Sequence, residues 1–175
     1  MNKLWGHFST ITSHKLLVGK LCFKCGLYKQ GLLHDLSKYS WVEFSAGVKY
    51  FQGNRSPIER EKEVVGYSKG WLHHKGRNRH HWEYWIDGSL QGIFGTKMPV
   101  NYVIEMFCDR VAATMIYQKE KYRDDSALQY FMRNQHNYCM HEESKALLRS
   151  LLEMLADNGL DYTIDYIRKE ILKNK

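Results

Sequence analysis

The sequence predicts an all-α protein, a single-domain bundle of helices, on three observations. Apolar residues recur mainly at helical spacing. Only two prolines occur, Pro57 and Pro99, so long stretches between them can stay helical. No alternating apolar/polar run of useful strand length is present. A chain of 175 residues suits one domain and buries a core without covalent staples. No repeat, low-complexity tract or Ser/Pro-rich linker divides it.

The elements follow in order. A first helix is expected from Asn2 to Leu27, with Leu16, Leu17, Leu21 and Phe23 among its apolar residues and Gly26 and Gly31 bracketing its end. A short second helix carries Leu32 to Tyr39. Ser40-Trp41-Val42-Glu43 reads as a capping box opening a helix through Phe51. Gly53 to Pro57 is a loop. A fourth helix is expected from Ile58 to Lys75, with an acidic first turn. Gly76 to Arg79 breaks it, and a short aromatic helix follows from His81 to Trp85. Gly88 to Pro99 is glycine-rich and reads as a loop or a small hairpin. Val100 to Gln118 is apolar nearly all round and is the expected central helix. Two or three amphipathic helices complete the chain, including Glu142 to Asp157, ended by Gly159, and Tyr162 to Leu172.

Bulk properties narrow the function. Aromatics reach 14%, which argues against disorder. The net charge of +7 favours anionic partners such as phosphate esters, nucleotides or nucleic acid, although the basic residues are scattered among acidic ones. Cys22 and Cys25 form a C-x-x-C with no second pair, so a four-thiolate zinc site lacks ligands; they read as small apolar core residues. The N-terminal stretch holds His7, His14 and Lys15 where a secretory signal needs an apolar core. No run of about 18 apolar residues exists to span a membrane. The expectation is a soluble, reduced, cytoplasmic protein.

The histidines are placed unevenly. His34-Asp35 is one site of interest: on a helix the two side chains point about 100° apart and grip one ion only where other helices close the site. Lys38, four residues on, would share the helical face of His34 and reach a phosphate oxygen, or else be an ordinary solvated lysine. His73, His74, His80 and His81 fall within nine residues. Val64, Tyr67, Trp71 and His74 recur as one helical stripe, which turns His74 inward and His73 away. Asn78 is placed to cap the helix presenting His80 and His81. Trp82 and Trp85 would wall the site or stack on a base, or simply pack in the core. Asp109 lies in an apolar helix, where a carboxylate needs a partner or a metal; alternatively Asn101, Glu105 and Asp109 form a narrow solvated stripe. His14 is a lone histidine on an amphipathic helix. His7, His136 and His141 have no convergent partners and read as surface or structural residues. Imidazole and carboxylate together suit manganese, iron, cobalt, nickel or zinc.

These residues resemble the HD superfamily of metal-dependent phosphohydrolases, whose signature order is H…HD…D on separate helices: here His14, His34-Asp35 and Asp109. The segment His34-Asp35-Leu36-Ser37-Lys38 is similar to the HD-x-[GS]-K variant of HD-GYP-type domains, in which further histidines bind a second metal. Together with the segments Trp71 to Trp85 and Met98 to Met106, it resembles more closely an HD-like family of bacterial and phage proteins of unestablished function, over roughly residues 10 to 120. The GYP motif is absent, and an extra helix fills the gap between Asp35 and His74. The resemblance implies one or two divalent ions: one held by His14, His34, Asp35 and Asp109, a second by His74 with His80 or His81, Asp35 bridging. The implied activity is hydrolysis of a phosphoester such as a nucleotide, with Asp35 and Lys38 at the reacting centre. The alternative is a non-catalytic, metal-stabilised module contacting nucleic acid or a nucleotide through Arg77, Arg79 and the tryptophans. The metal-site core would occupy about residues 10–120 and the C-terminal helices 124–175 of the one domain.

Overall fold

A computed structural model describes residues 2–173. Its spine is the helix α6, Val100–Gln118, buried over Val103 to Cys108 and again at Val111 and Ala112. Burial on nearly every side follows from an apolar sequence with neighbours on both flanks. On one flank lies α1, Lys3–Lys24, and on the other α8, Glu142–Asn158. The buried face of α1 is His7, Ile11, His14, Val18, Leu21 and Cys22, a spacing of three to four residues. Leu16 and Phe23, expected among its apolar contacts, point outward. This phase matters because it carries His14 into the protein.

The expected helix from Leu32 to Tyr39 is broken. α2, Tyr28–Leu33, stops before His34, which is extended (φ −50°, ψ 126°), and Asp35 is left-handed (φ 55°, ψ 22°). A 3₁₀ turn then spans Leu36–Tyr39. The cause is partly tertiary: Lys15 Nζ on α1 donates to the carbonyls of Leu32 and His34, both at 2.8 Å, and so satisfies the helix end. Aspartate is one of the few residues that tolerates the left-handed region.

α3, Trp41–Tyr50, begins where the sequence places it, but not through a capping box: the Ser40 side chain makes no cap bond, and Glu43 is buried against histidines. The expected helix from Ile58 to Lys75 is two helices, α4 (Pro57–Val65) and α5 (Lys69–Lys75). Gly66 ends α4 with φ 85°, a value glycine alone adopts freely. Ser68 caps α5 by accepting from Trp71 N (2.9 Å) while its hydroxyl donates to Glu61 Oε2 (2.5 Å), which locks the corner. The expected stripe from Val64 to His74 is therefore not one helical face, and Val64 and Tyr67 are exposed. His74 is buried because α5 packs on α3.

After a 3₁₀ turn at Trp82–Trp85, the glycine-rich segment forms an antiparallel hairpin, β1 (Ile86–Ser89) with β2 (Gly92–Gly95), Ile86 facing Gly95. Beyond α6, α7 (Ser126–Asn134), α8 and α9 (Leu160–Tyr166, continued by a π turn over Ile167–Ile171) bring Phe131, Leu148, Leu151, Leu152, Leu155, Ile164 and Ile167 into one core with α6. The single domain thus has an apolar C-terminal side and a polar N-terminal side sharing α6. Cys22, Cys25 and Cys108 are free thiols buried in that core, and Cys139 is half-buried. No described helix is long and apolar enough to cross a membrane.

Candidate metal centre

The break after α2 supplies His34 and Asp35 to a point where α1, α5 and α6 converge. His14 comes from α1, Glu105 and Asp109 from adjacent turns of α6, and His74, His80 and His81 from α5 and the turn after it. Two donor groups form around Asp35. In the first, His14 Nε2 lies 2.9 Å from Asp109 Oδ1 and 3.6 Å from Asp35 Oδ2, while His34 Nε2 lies 3.3 Å from Asp35 Oδ2 and 3.6 Å from Asp109 Oδ1. In the second, Asp35 Oδ1 lies 3.2 Å from His74 Nε2 and 3.5 Å from His80 Nε2, and His74 Nε2 is 2.9 Å from His81 Nε2. Each of the two oxygens of Asp35 thus faces one group.

These spacings are what a shared ion requires. Donors about 2.1 Å from one cation stand about 3.0 Å apart at a right angle and about 3.4 Å apart at the tetrahedral angle. The Nε2 atoms of His14, His34 and His80 and Asp35 Oδ1 are buried and make no aligned hydrogen bond among the described residues. Buried polar atoms without partners are costly, and four that converge call for a common ligand.

Outside the donors lies a ring of carboxylates. Glu105 Oε1 is 2.9 Å from His34 Nδ1 and 3.1 Å from His80 Nδ1. Glu43 holds His74 Nδ1 (2.7 Å) through one oxygen and His73 Nδ1 (2.6 Å) through the other. An ionised carboxylate can only accept, so neutral His34 and His74 donate from Nδ1 and leave an Nε2 lone pair facing inward, and His80 turns its Nδ1 to the same Glu105 oxygen. This is the usual second contact of a metal-binding histidine. Asn78 does not cap a helix toward His80; its amide donates to Ser37 Oγ and to His74 O, both at 2.8 Å.

Electrostatics follow from this geometry. Burial would raise the Asp35 carboxyl, but His34, Lys38 and His74 outweigh it and hold it well below the usual carboxylate range. Asp109 is likewise held well below, its burial outweighed by the His14 and His34 imidazoles beside it. Burial works against protonation of His34 and His74, yet Asp35 and the neighbouring carboxylates raise both, His34 strongly. Burial lowers His14, with Lys38 adding to the effect, and drives His81 well below the imidazole range, with His80 and His74 adding. Four carboxylates surround these imidazoles, and such a site attracts cations, whether protons or metal ions.

Lys38 sits 2.5 Å from Asp35 Oδ2, so its partner is Asp35 three residues away rather than the face of His34. Trp71, half-buried, stacks on His74 (5.7 Å between centroids) and meets His81 edge-on (4.8 Å). Of the two readings of Trp82 and Trp85, core packing holds: they lie on the core beside Tyr138 and Tyr102 and do not wall the site. The solvated stripe on α6 is also overturned, since Glu105 is buried and Asp109 turns to the histidines. Of the histidines set aside, His7 is buried between Phe44 and Phe51, His141 caps α8, and His136 is exposed. Residue patterns missed Glu43, Glu105 and Lys15; the i, i+4 pairing of Glu105 with Asp109 was the available signal.

Fold and site together define an all-helical protein with a buried histidine–carboxylate centre suited to hard or borderline divalent ions. The chain belongs to the family of unknown function DUF5662, whose family model matches residues 3–154. No curated protein and no solved structure matches it.

Proposed function

We propose that this protein is a metal-dependent phosphohydrolase that holds two divalent ions on either side of Asp35 and hydrolyses a phosphoester. One observation carries the reading: buried, unpartnered Nε2 atoms and an Asp35 oxygen converge as two donor groups with coordination spacing. The order His14, His34-Asp35, Asp109, which resembles that of HD phosphohydrolases, supports it. His14, His34, Asp35 and Asp109 on one side and His74, His80 and His81 on the other would hold the ions, which would supply a nucleophilic water-derived oxygen near neutral pH and offset phosphoryl charge. Asp35, with its oxygens split between the groups, keeps both in register. Glu105 and Glu43 fix the tautomers of three imidazoles. Lys38, in reach of Asp35, offers a cation to the charge that grows on the phosphoryl group. Trp71 shields the His74–His81 side from water. The free thiols fit a reducing compartment, the cytoplasm.

The test is elemental analysis of protein purified without chelator, run beside a phosphomonoester, phosphodiester and nucleotide panel supplied with manganese, iron, cobalt, nickel or zinc. We expect about two ions per chain, and the loss of one in His14→Ala or His81→Ala. Full occupancy in both variants would refute the ligand assignment. Metal binding without turnover of any ester would favour a binding module for nucleic acid or nucleotide. That reading draws less support from the geometry, because Trp82 and Trp85 are spent on the core and Arg79 lies over the rings of Tyr84 and Tyr102.

A further inference from the structure

Between α1, α3 and α4 lies a cavity of about 70 Å³ with Lys38 and His74 on its lining. Ile11, Ala46, Pro57 and Ile58 give it mostly apolar walls, Tyr117 reaches it from α6, and the two carboxylates on its lining, Glu43 and Glu61, are already held by His73, His74 and Ser68. Because one metal-facing histidine and the lysine bound to Asp35 line it, a group seated in it would lie beside the donor site. We propose that this cavity seats the alcohol part of a small aliphatic phosphomonoester, and that His7 and Gly47 set how large that part can be. The proposal rests on the phosphohydrolase reading and narrows it.

Size is the first argument. Pockets that enclose drug-sized ligands run to about 300–1,000 Å³, and a water takes about 30 Å³ of liquid. A cavity of this size holds a group of a few carbon atoms, and a ribose bearing a base would have to extend out of it into solvent. Wall chemistry is the second: an aliphatic group gains by leaving water for such a lining.

His7 is the third. Its side chain is 95% withdrawn from solvent by the residue's relative exposure of 5%, and Nδ1 has no hydrogen-bond partner among the described residues. It is held in place by Phe44 (5.4 Å between ring centroids) and Phe51 (6.0 Å). A Cβ built at Gly47 would collide with Nε2, Cε1 and Cδ2 of this ring. Residue 47 is therefore glycine because the imidazole lies across α3 at that point, on the cavity lining that both residues share. Burial, helped by Lys38, lowers His7 to about 4, so it is neutral at pH 7 and suits an apolar wall better than a charged one would. Any side chain at 47 must push the ring into the space the alcohol part would fill.

The experiment is calorimetric titration of the metal-loaded full chain with three probes: inorganic phosphate, ethylphosphonate and a nucleoside phosphonate. We expect ethylphosphonate to bind about tenfold tighter than phosphate, the gain from burying a short alkyl group, and tighter than the nucleoside phosphonate. Gly47→Ala should erase that preference with phosphate affinity and metal content unchanged. Ile58→Phe fills the cavity from α4 with residue 47 left as glycine and should do the same, which guards against misfolding of the first variant. Equal affinity for phosphate and ethylphosphonate, tighter binding of the nucleoside phosphonate, or a preference that survives both variants would overturn the proposal alone. Failure of the loaded protein to bind any of the three would overturn the phosphohydrolase reading with it.

Discussion

Glu105 Oε1 accepts from His34 Nδ1 and lies 3.1 Å from His80 Nδ1, so one oxygen faces two of the inward-facing imidazoles. Removing such a partner typically weakens metal binding about 10–100-fold, and Glu105→Ala should show that loss in competition with a chelating dye. Glu105→Gln keeps an oxygen able to accept from both rings, so it should recover much of the affinity; equal affinity in Glu105→Ala and the native protein would mean other contacts orient the rings. Asp35→Asn tests the bridge, since asparagine also tolerates φ 55°. We expect a native circular-dichroism spectrum with both ions lost; one full equivalent retained would rule out bridging. Glu105 and Glu43 were hard to read from the sequence for a physical reason. Glu43 stands in Ser-x-x-Glu, which local capping explains fully, and Glu105 shares a face with Asn101 and Asp109 that a solvated stripe explains equally well. Only the neighbours brought by α2 and α5 decide which explanation holds.

At the scale of elements, two broken helices place the donors, and helical periodicity runs through both breaks. Periodicity ran through Leu32–Tyr39 because no glycine or proline interrupts it; the stop comes from Lys15, distant in sequence, which clamps the carbonyls of Leu32 and His34. Lys15→Met should remove about 1.5–3 kcal/mol of charge-assisted hydrogen bonding and weaken metal binding, with Lys15→Arg recovering part of both. Undiminished affinity in Lys15→Met would show that the corner forms without the clamp. The second break did leave a sign in Gly66, followed by a cap-capable Ser68, but the apolar spacing across it imitated one helix. At φ 85° a Cβ costs about 1–2 kcal/mol, so Gly66→Ala should lower the Tm by roughly 3–6 °C. An unchanged Tm would mean that the corner relaxes without cost.

At the scale of the molecule, the all-helical architecture was legible because α6 declares itself: an apolar stretch too long for a strand, and buried on both flanks. The C-terminal core contains few buried charges, whereas the N-terminal side gathers four carboxylates around its imidazoles, and that asymmetry sets the response to pH. His34 and His74 are raised above the usual imidazole value of about 6.5 in the protein without bound metal. Their contribution to stability is then complete below pH 6.5 and is lost as pH rises through their folded values. His7, His14 and His81 are lowered, so their contributions change only below pH 6.5 and do not oppose this trend above it. Divalent ions bound there would replace those protons, and each would stabilise the folded state by about 2.7 kcal/mol at a free concentration 100 times its Kd. Raising pH removes the competing protons and tightens metal binding while the metal-free protein weakens. The Tm difference between metal-loaded and chelator-treated protein should therefore widen steadily from pH 6 to pH 8, with protons released on loading in that range. A difference that stays constant, or narrows, would show that the imidazoles meeting at Asp35 are not the groups from which metal displaces protons.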